Sequence, residues 1–218
     1  MNEPWTEPTV DNVRKAGAEF DSWKDNPDPA LAILFAQYPA NTCFDHVLLK
    51  VVVVNSTYGT QIHAVSSKKP TLYDVARHIV SRNIDDALQA GSVDVVDRIA
   101  DVSADGKHEY LYSFASKYCN WQRPDCYPIY DARVVKYLCA LRSHEANQPG
   151  GFRQFETKEL WSYPTFKQVV ADFREHFHLQ EFSFKEIDKF LYVEGMNLFL
   201  SENAPAPGAD HLIQKPAA

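Results

Sequence analysis

One short segment of the chain, YCNWQRPDCYPIYDARV at residues 118–134, crowds aromatic rings, two cysteines and two prolines around the aspartate Asp131. An amphipathic, helix-like pattern starts directly after this residue, which places its carboxylate at a predicted helix N-terminus. Backbone N–H groups and the helix dipole favour an ionised carboxylate there. Such a group can orient a water molecule or deprotonate a nucleophile. It is also an ordinary N-cap, so the pattern allows a catalytic role, a structural role or both.

Lys117 lies just before this segment, among the aromatic residues Phe114, Tyr118 and Trp121. Loss of water around a lysine favours its neutral amine, which is the nucleophilic form in Schiff-base chemistry. The alternative is a solvated helix lysine whose aliphatic stem covers apolar surface. The sequence favours the solvated alternative, because unpaired lysines are usually exposed. We therefore expect any hydrolytic chemistry at Asp131 to use water rather than Lys117.

Composition sets the broad class of the protein. The chain has 218 residues, 45% hydrophobic and 13% aromatic, which is typical of a soluble globular protein. The net charge of −7 argues against an extended nucleic-acid coat but permits a local basic patch. The four cysteines show no zinc-ligand spacing, so we predict buried free thiols, no metal and no cofactor. The N-terminus lacks the order of a signal peptide, and we expect a cytoplasmic protein.

Hydrophobic periodicity predicts an all-α fold of roughly eight to ten helices. The apolar run VLLKVVVV at residues 47–54 has strand propensity, but no second strand of similar quality exists to pair with it, so we predict a buried helix. Helical spacing recurs in the segments 71–82, 92–102, 110–121, 131–142, 165–177 and 183–200. We expect one helical domain over residues 1–202, with a core at about 45–142 flanked by N- and C-terminal helices. Residues 203–218 are proline-rich with little to bury, and we predict a disordered tail.

Four short motifs, and their order along the chain, resemble the helix-hairpin-helix superfamily of base-excision DNA glycosylases, in particular its 8-oxoguanine glycosylase type. The segment YPIYDARV resembles the family's proline-bearing passage before its catalytic Asp, and NWQRPDC resembles the loop that precedes it. The segment KVVVVNSTYGTQI is similar to an early helix with a polar end, and DVSADGKHEYLYSFASKYC occupies the place of the hairpin. The hairpin letters SADGKHE differ from the family's usual L-P-G-V-G, and Tyr130 is an extra residue before Asp131.

The resemblance implies excision of a modified or damaged base from double-stranded DNA, with Asp131 as the catalytic carboxylate and Lys117 as a second candidate. A carboxylate beside C1′ stabilises the oxocarbenium character of the transition state, and no metal is needed. A base must leave the duplex to be reached. The predicted substrate-binding residues are aromatic rings and amides: Tyr58, Trp121, Tyr130, Asn55, Gln61 and Gln122. The predicted DNA-contacting residues are Gly106, Lys107 and His108 at the hairpin and Arg133 beside the aspartate.

Two alternatives remain open at this level. The first is a glycosylase-like scaffold without catalysis that binds DNA or protein, which the irregular hairpin and the negative net charge favour. The second is a helical protein unrelated to DNA. A cleft beside Asp131 would favour the enzyme, and burial of Asp131 without one would exclude it.

Overall fold

The structure, a computed structural model, describes residues 6–146 and 148–202, so the predicted tail at 203–218 lies outside the described residues. This part of the chain is predominantly helical, which confirms the all-α prediction. The helices are α1 Val10–Ser22, α2 Asp28–Gln37, α3 Phe44–Tyr58, α4 Leu72–Ser81, α5 Asp85–Gln89, α6 Asp94–Ala100, α7 Tyr112–Gln122, α8 Ala132–Glu145, α9 Tyr163–His176 and α10 Phe184–Glu202. Two short strands, β1 Asp101–Ala104 and β2 Lys107–Tyr110, and a 3-10 helix, Thr157–Trp161, complete it.

The valine-rich segment is helical, as predicted. In α3, Val47, Val51 and Val54 are fully buried, and their spacing of four and three residues puts them on one face. Burial of this face outweighs the strand propensity of valine. Gly59 then ends the helix in a left-handed conformation, with a φ of 58°.

The segment between α6 and α7 differs from the sequence prediction. The helical spacing of residues 92–102 predicts a helix through Val102, but the helix ends at Ala100 and an antiparallel β-hairpin follows. Asp105 and Gly106 form its turn with φ values of 49° and 73°. Positive φ at both central residues is the pattern of a two-residue hairpin turn, for which Asp-Gly is a favoured pair. The Asp-Gly pair therefore specified a β-hairpin here.

The sequence predicts three helix starts from their capping residues, which are Thr71 with Asp74, Ser92, and Ser183 with Glu186. Two of the three are confirmed. Thr71 and Asp74 form a capping box at α4, and the side chains of Ser183 and Glu186 exchange the same reciprocal bonds at α10. The prediction that Ser92 caps α6 is wrong, because the helix begins at Asp94 and the Ser92 hydroxyl donates to the Asp94 side chain instead.

Helix α10 packs against α8 and α1, and this three-helix contact positions the start of α8. Gly195 makes the approach of α10 to α8 possible, because a Cβ at this position would overlap the backbone carbonyl of Arg133. Arg133 is two residues from Asp131, so this contact fixes the predicted catalytic residue from the far side of the helix.

The cysteines only partly match their prediction. All four are free, but Cys43 is exposed and Cys126 and Cys139 are half-buried, so Cys119 alone is a buried thiol. Among the described helices, none has the length and apolarity to cross a membrane.

Candidate active site in the cleft at Asp131

Asp131 and Lys117 lie together on the wall of a cleft, which meets the condition set by the sequence for a catalytic aspartate. The cleft has a volume of about 190 Å³ and is formed by α1, the loop after it, α3, α7, the loop before α8, α8 and α10. Its lining residues are Phe20, Trp23, Asp25, Pro27, Thr57, Tyr58, Lys117, Ile129, Asp131, Val134, Lys185, Asp188, Lys189 and Tyr192.

Asp131 caps α8 and pairs with Lys117 at the same time. Its Oδ1 accepts the backbone N–H of Arg133 at 3.0 Å, as expected of an N-cap. Its Oδ2 accepts from Nζ of Lys117 at 3.1 Å, and the Arg133 guanidinium lies 3.7 Å from Oδ1. The Asp131 side chain is 16% exposed, so its carboxylate can be reached from the cleft. Capping therefore uses one oxygen and leaves the other facing the lysine.

The prediction that Lys117 is a solvated helix lysine is wrong. The residue is 2% exposed and its ammonium donates to Ser113 Oγ at 2.6 Å and to the Tyr130 carbonyl at 3.3 Å, besides Asp131. The Tyr58 ring lies 5.5 Å from Nζ. Burial lowers the pKa of Lys117, and the Asp131 carboxylate opposes that shift. A lysine whose ammonium group has three acceptors can be buried. The sequence could not show that Lys117 has these acceptors.

Helix α10 contributes a second buried acid, Asp188, which the sequence analysis missed. Its Oδ2 accepts the backbone N–H of Ile129 at 2.9 Å and lies 3.4 Å from Asn120 Nδ2. Its Oδ1 has no hydrogen-bond partner, and neither has Asn120 Oδ1. Burial raises the pKa of Asp188 well above its ordinary value, although the N–H of Ile129 and nearby Lys185 and Lys117 oppose that shift.

Two lysines of α10 also line the cleft. Lys185 lies 3.4 Å from Asp28, and its Nζ stands 4.2 Å from the centre of the Trp121 ring. Lys189 bridges Asp21 at 2.6 Å and Asp28 at 3.6 Å. Burial lowers the pKa of Lys185, against the attraction of Asp28. Helix α10 therefore contributes one acidic residue, Asp188, and two lysines, Lys185 and Lys189, to the lining of the cleft.

A sequence signal for these α10 residues existed. Lys185, Asp188, Lys189 and Tyr192 follow one another at i, i+3, i+4 and i+7, which places them on one helix face. This stripe lines the cleft rather than facing solvent, which is unusual because charged residues are rarely buried. The stripe indicates a shared polar site on the inner side of α10.

Of the six predicted substrate-binding residues, Tyr58 alone is in the cleft lining. Trp121 lies directly behind it and donates its indole N–H to the Tyr58 hydroxyl at 2.9 Å. Burial raises the pKa of Tyr58, so this phenol stays protonated. Tyr130 turns away and packs on Tyr112 and Phe166, while its backbone carbonyl accepts from Lys117.

The three predicted amides lie outside the lining of the cleft. Asn55 organises the loop after α3 by accepting from the Ile62 N–H at 2.8 Å and donating to the Ile62 carbonyl at 3.0 Å. Gln61, at a φ of 62°, is exposed near the hairpin. Gln122 joins a buried hydrogen-bond network around Asn41. Asn55 and Gln122 therefore have structural partners, and none of the three amides contributes to the cleft.

The predicted DNA-contacting residues fall in two separate places. Gly106 forms the hairpin turn, Lys107 donates to the Ser66 carbonyl at 2.9 Å, and His108 pairs with Asp101 at 2.6 Å. None of these hairpin residues lines the cleft. Arg133 stands beside it, with its guanidinium 5.3 Å from the Tyr192 ring.

Metal coordination receives no support from the side chains that the structure describes. Over residues 6–146 and 148–202 there is no group of three or more His, Cys, Asp or Glu residues placed to hold a metal ion.

Residues 12–126 match the family model HI_0787_N, described as an N-terminal domain. The chain belongs to this family. A relative from Haemophilus influenzae, described as an uncharacterized protein, is 33% identical over 160 residues, which cover 73% of this chain and 71% of that protein. No solved structure matches. The matched region ends in the loop before α8, so it contains Lys117 but neither Asp131 nor Asp188.

Proposed function

We propose that this protein is a DNA N-glycosylase in which the amine of Lys117 attacks C1′ of a modified or damaged nucleotide and Asp131 assists it. One observation carries the proposal: Nζ of Lys117 lies 3.1 Å from the carboxylate of Asp131 on the wall of an aromatic-lined cleft. This amine–carboxylate pair, together with the resemblance to base-excision glycosylases, favours N-glycosidic bond cleavage over other chemistry.

The chemistry follows from the surroundings of the two groups. Burial lowers the pKa of Lys117 and so increases the fraction of nucleophilic amine near neutral pH. As the bond between C1′ and the base stretches, the sugar gains positive charge, which the Asp131 carboxylate stabilises. The carboxylate can then accept the proton that the alkylated amine must lose. The sequence favoured water as the nucleophile, and burial of Lys117 is the reason for proposing the amine instead.

The aromatic walls provide a place for an extruded base. Four aromatic residues line the cleft: Phe20 on α1, Trp23 directly after α1, Tyr58 on α3 and Tyr192 on α10. Planar bases stack favourably on such rings, and enzymes that act on a flipped base commonly hold it between them. The polar groups of α10 supply hydrogen-bond partners for a base edge. Both features support a nucleobase as the group that enters.

A second candidate function is a catalytically inactive glycosylase-like scaffold that binds DNA or protein. The observation that favours it is that Lys117 donates to three acceptors, Ser113, Tyr130 and Asp131. An ammonium group has three N–H bonds, so this lysine is fully satisfied as a structural ion. A catalytic amine would have to leave at least one of these partners.

Borohydride trapping on defined DNA duplexes tests the proposal. End-labelled duplexes carry 8-oxoguanine, uracil, an alkylated purine or a hypermodified pyrimidine, each assayed with and without hot alkali. We expect strand cleavage without alkali for one substrate, a covalent protein–DNA adduct with borohydride, and loss of the adduct in Lys117→Gln. Alkali-dependent cleavage without an adduct, lost in Asp131→Asn, would instead establish water as the nucleophile. No cleavage of any duplex by the folded wild type would support the scaffold.

A further inference from the structure

The hydroxyl of Tyr58 is a hydrogen-bond donor that the fold leaves unused on the wall of the cleft. The indole N–H of Trp121 lies 2.9 Å from its oxygen, and an indole nitrogen can donate but cannot accept. The phenol oxygen is therefore the acceptor in this contact, and its own hydrogen points away from the indole. Over residues 6–146 and 148–202, no hydrogen bond has this hydroxyl as its donor. Because Tyr58 lines the cleft, a group that enters can accept from it.

The contacts of Trp121 restrict the orientation of this hydroxyl. The Trp121 ring packs against the Phe35 ring with 6.1 Å between their centres, and the ammonium of Lys185 lies 4.2 Å from the indole centre. Lys185 is in turn paired with Asp28 at 3.4 Å. These contacts hold the indole, and the indole N–H holds the phenol oxygen. A donor that is positioned before the ligand arrives loses little freedom on binding, so it can discriminate between ligands.

Tyr58 also stands beside the proposed nucleophile. The centre of its ring is 5.5 Å from Nζ of Lys117, and this Nζ lies 3.1 Å from the carboxylate of Asp131. A base is attached to C1′ by one covalent bond. A base whose C1′ is attacked by the Lys117 amine therefore lies next to the Tyr58 ring, and its edge is the group that the unused O–H meets.

We propose that Tyr58 determines which base is accepted, by donating its O–H to a carbonyl oxygen on the edge of that base. This role rests on the proposed function. Because Trp121 occupies the acceptor side of the hydroxyl, Tyr58 matches an acceptor on the base and is mismatched to an amino group, which is itself a donor. Tyr58 selects the substrate, whereas the bond-breaking step belongs to Lys117 and Asp131.

A fixed donor at this place favours deaminated bases. Deamination of cytosine or adenine replaces an amino group with a carbonyl oxygen, which converts a donor on the base edge into an acceptor. Uracil and hypoxanthine therefore present an acceptor where their parent bases present an N–H donor. A parent base would place two donors against each other and leave a polar group unpaired, which is how enzymes reject close analogues. The substrate class is a base with a carbonyl in place of an amino group.

Binding of free bases tests this specificity without any assay of excision. The indole N–H signal of Trp121 in a nitrogen–proton correlation spectrum, assigned by its absence in Trp121→Phe, reports on the contact with Tyr58. Uracil is expected to bind about tenfold more tightly than cytosine, the ratio that one neutral hydrogen bond supplies. In Tyr58→Phe the two bases are expected to bind equally. Equal affinities in the wild type, or no binding of uracil, would overturn the proposal.

A matched control variant separates the Tyr58 hydroxyl from a general effect of removing a phenol. Tyr137 is buried outside the cleft lining, and its hydroxyl donates to the Thr6 carbonyl at 2.8 Å. Tyr137→Phe is expected to keep the preference for uracil over cytosine. If Tyr137→Phe loses that preference as Tyr58→Phe does, the loss reflects a change in the fold, and the role of Tyr58 is overturned.

Excision from duplexes that carry uracil, hypoxanthine or an alkylated purine separates this inference from the proposed function. Tyr58→Phe is expected to raise KM for a deaminated base about tenfold and to leave kcat within about threefold. Lys117→Gln is expected to lose excision and to keep the preference for free uracil.

The two failures are distinguishable. Selective binding of uracil by a wild type that excises no base would contradict the proposed function and leave the specificity of Tyr58 standing. Excision of uracil by Tyr58→Phe at an unchanged KM would overturn the role of Tyr58 and leave the glycosylase standing. Excision of the alkylated purine in preference to both deaminated bases would also overturn the role of Tyr58.

Discussion

Two buried lysines of this protein have different surroundings. Lys50 on α3 is 0% exposed and donates to the carbonyls of Tyr38 and Ala40, each at 3.1 Å, and to Asn41 Oδ1 at 2.7 Å. Lys117 is 2% exposed and has a hydroxyl, a carbonyl and the carboxylate of Asp131 as acceptors.

The difference shows that burial of a lysine does not by itself indicate chemistry. Both lysines have pKa values lowered by burial, that of Lys50 to about 8. Lys50 closes the turn between α2 and α3 and does not line the cleft, whereas Lys117 does and contacts a carboxylate that can take its proton. Access for a substrate and a base within hydrogen-bond distance are what separate a candidate nucleophile from a structural cation.

The largest expected difference between the two lysines is in excision. Lys117→Met is expected to lose activity by on the order of 10⁴-fold, as removal of a nucleophile does elsewhere. Lys50→Met, assayed under conditions where it is folded, is expected to stay within about threefold of the wild type, because Lys50 does not line the cleft. Rates on the best duplex of the panel measure both. Equal losses of excision rate in the two variants would show that Lys117 is no more important for catalysis than Lys50.

The two variants are expected to rank in the opposite order when the free energy of unfolding is measured instead of activity. Lys50→Met leaves the buried carbonyls of Tyr38 and Ala40 without the lysine that donates to them and is expected to lower the free energy of unfolding by about 3 kcal/mol. Lys117→Met is expected to cost about 1 kcal/mol or less, because Arg133 stays near the Asp131 carboxylate and active-site groups are commonly not optimal for stability. Denaturant titrations of both variants at pH 7 give the two values. A larger cost for Lys117→Met would indicate that Lys117 is chiefly structural.

The contact between α10 and α8 supports the Lys117 site and not the Lys50 network. Gly195→Ala is expected to lower the free energy of unfolding by about 2 kcal/mol, because the new Cβ overlaps the Arg133 carbonyl. Gly17→Ala in α1 is the matched control, since a Cβ there meets no atom within 4 Å and alanine favours the helix by up to about 1 kcal/mol. Thermal unfolding of both variants checks the prediction. A stabilised Gly195→Ala would show that α10 can move away from α8.

A further expected effect is the pH dependence of stability that Lys50 contributes. Its pKa is about 8 in the folded protein against 10.5 as the ordinary value, so between these pH values the unfolded chain binds more protons. Stability therefore rises with pH across this window, by at most about 1.4 kcal/mol per pH unit. Lys50→Met lacks this pH-dependent contribution. The unfolding free energies of wild type and variant are therefore compared at pH 8 and again at pH 10, and the change in their difference between the two pH values measures the contribution of Lys50. A difference that is constant with pH would mean that Lys50 has an ordinary pKa.

Local sequence patterns predicted the helices and several of their ends. The capping box of Thr71 and Asp74, the N-cap at Asp131 and the buried face of the valine-rich α3 depend on residues two to four positions apart, which a reader of the sequence can see. The Asp-Gly pair at 105–106 carried an equally local signal for a hairpin, but the helical periodicity on either side obscured it.

The assembly of the cleft depended on contacts that no local pattern contains. Asp188 reaches the Ile129 N–H across 59 positions of sequence, and Lys117 meets Asp131 because the intervening loop folds back on α7. The sequence by itself determined that Asp131 begins a helix and that Lys117 has aromatic neighbours. Tertiary packing alone decided that Lys117 is buried, that α10 brings Asp188 to the same cleft, and that Gln61 and Tyr130 point elsewhere, because burial and pairing are set by which distant segments meet.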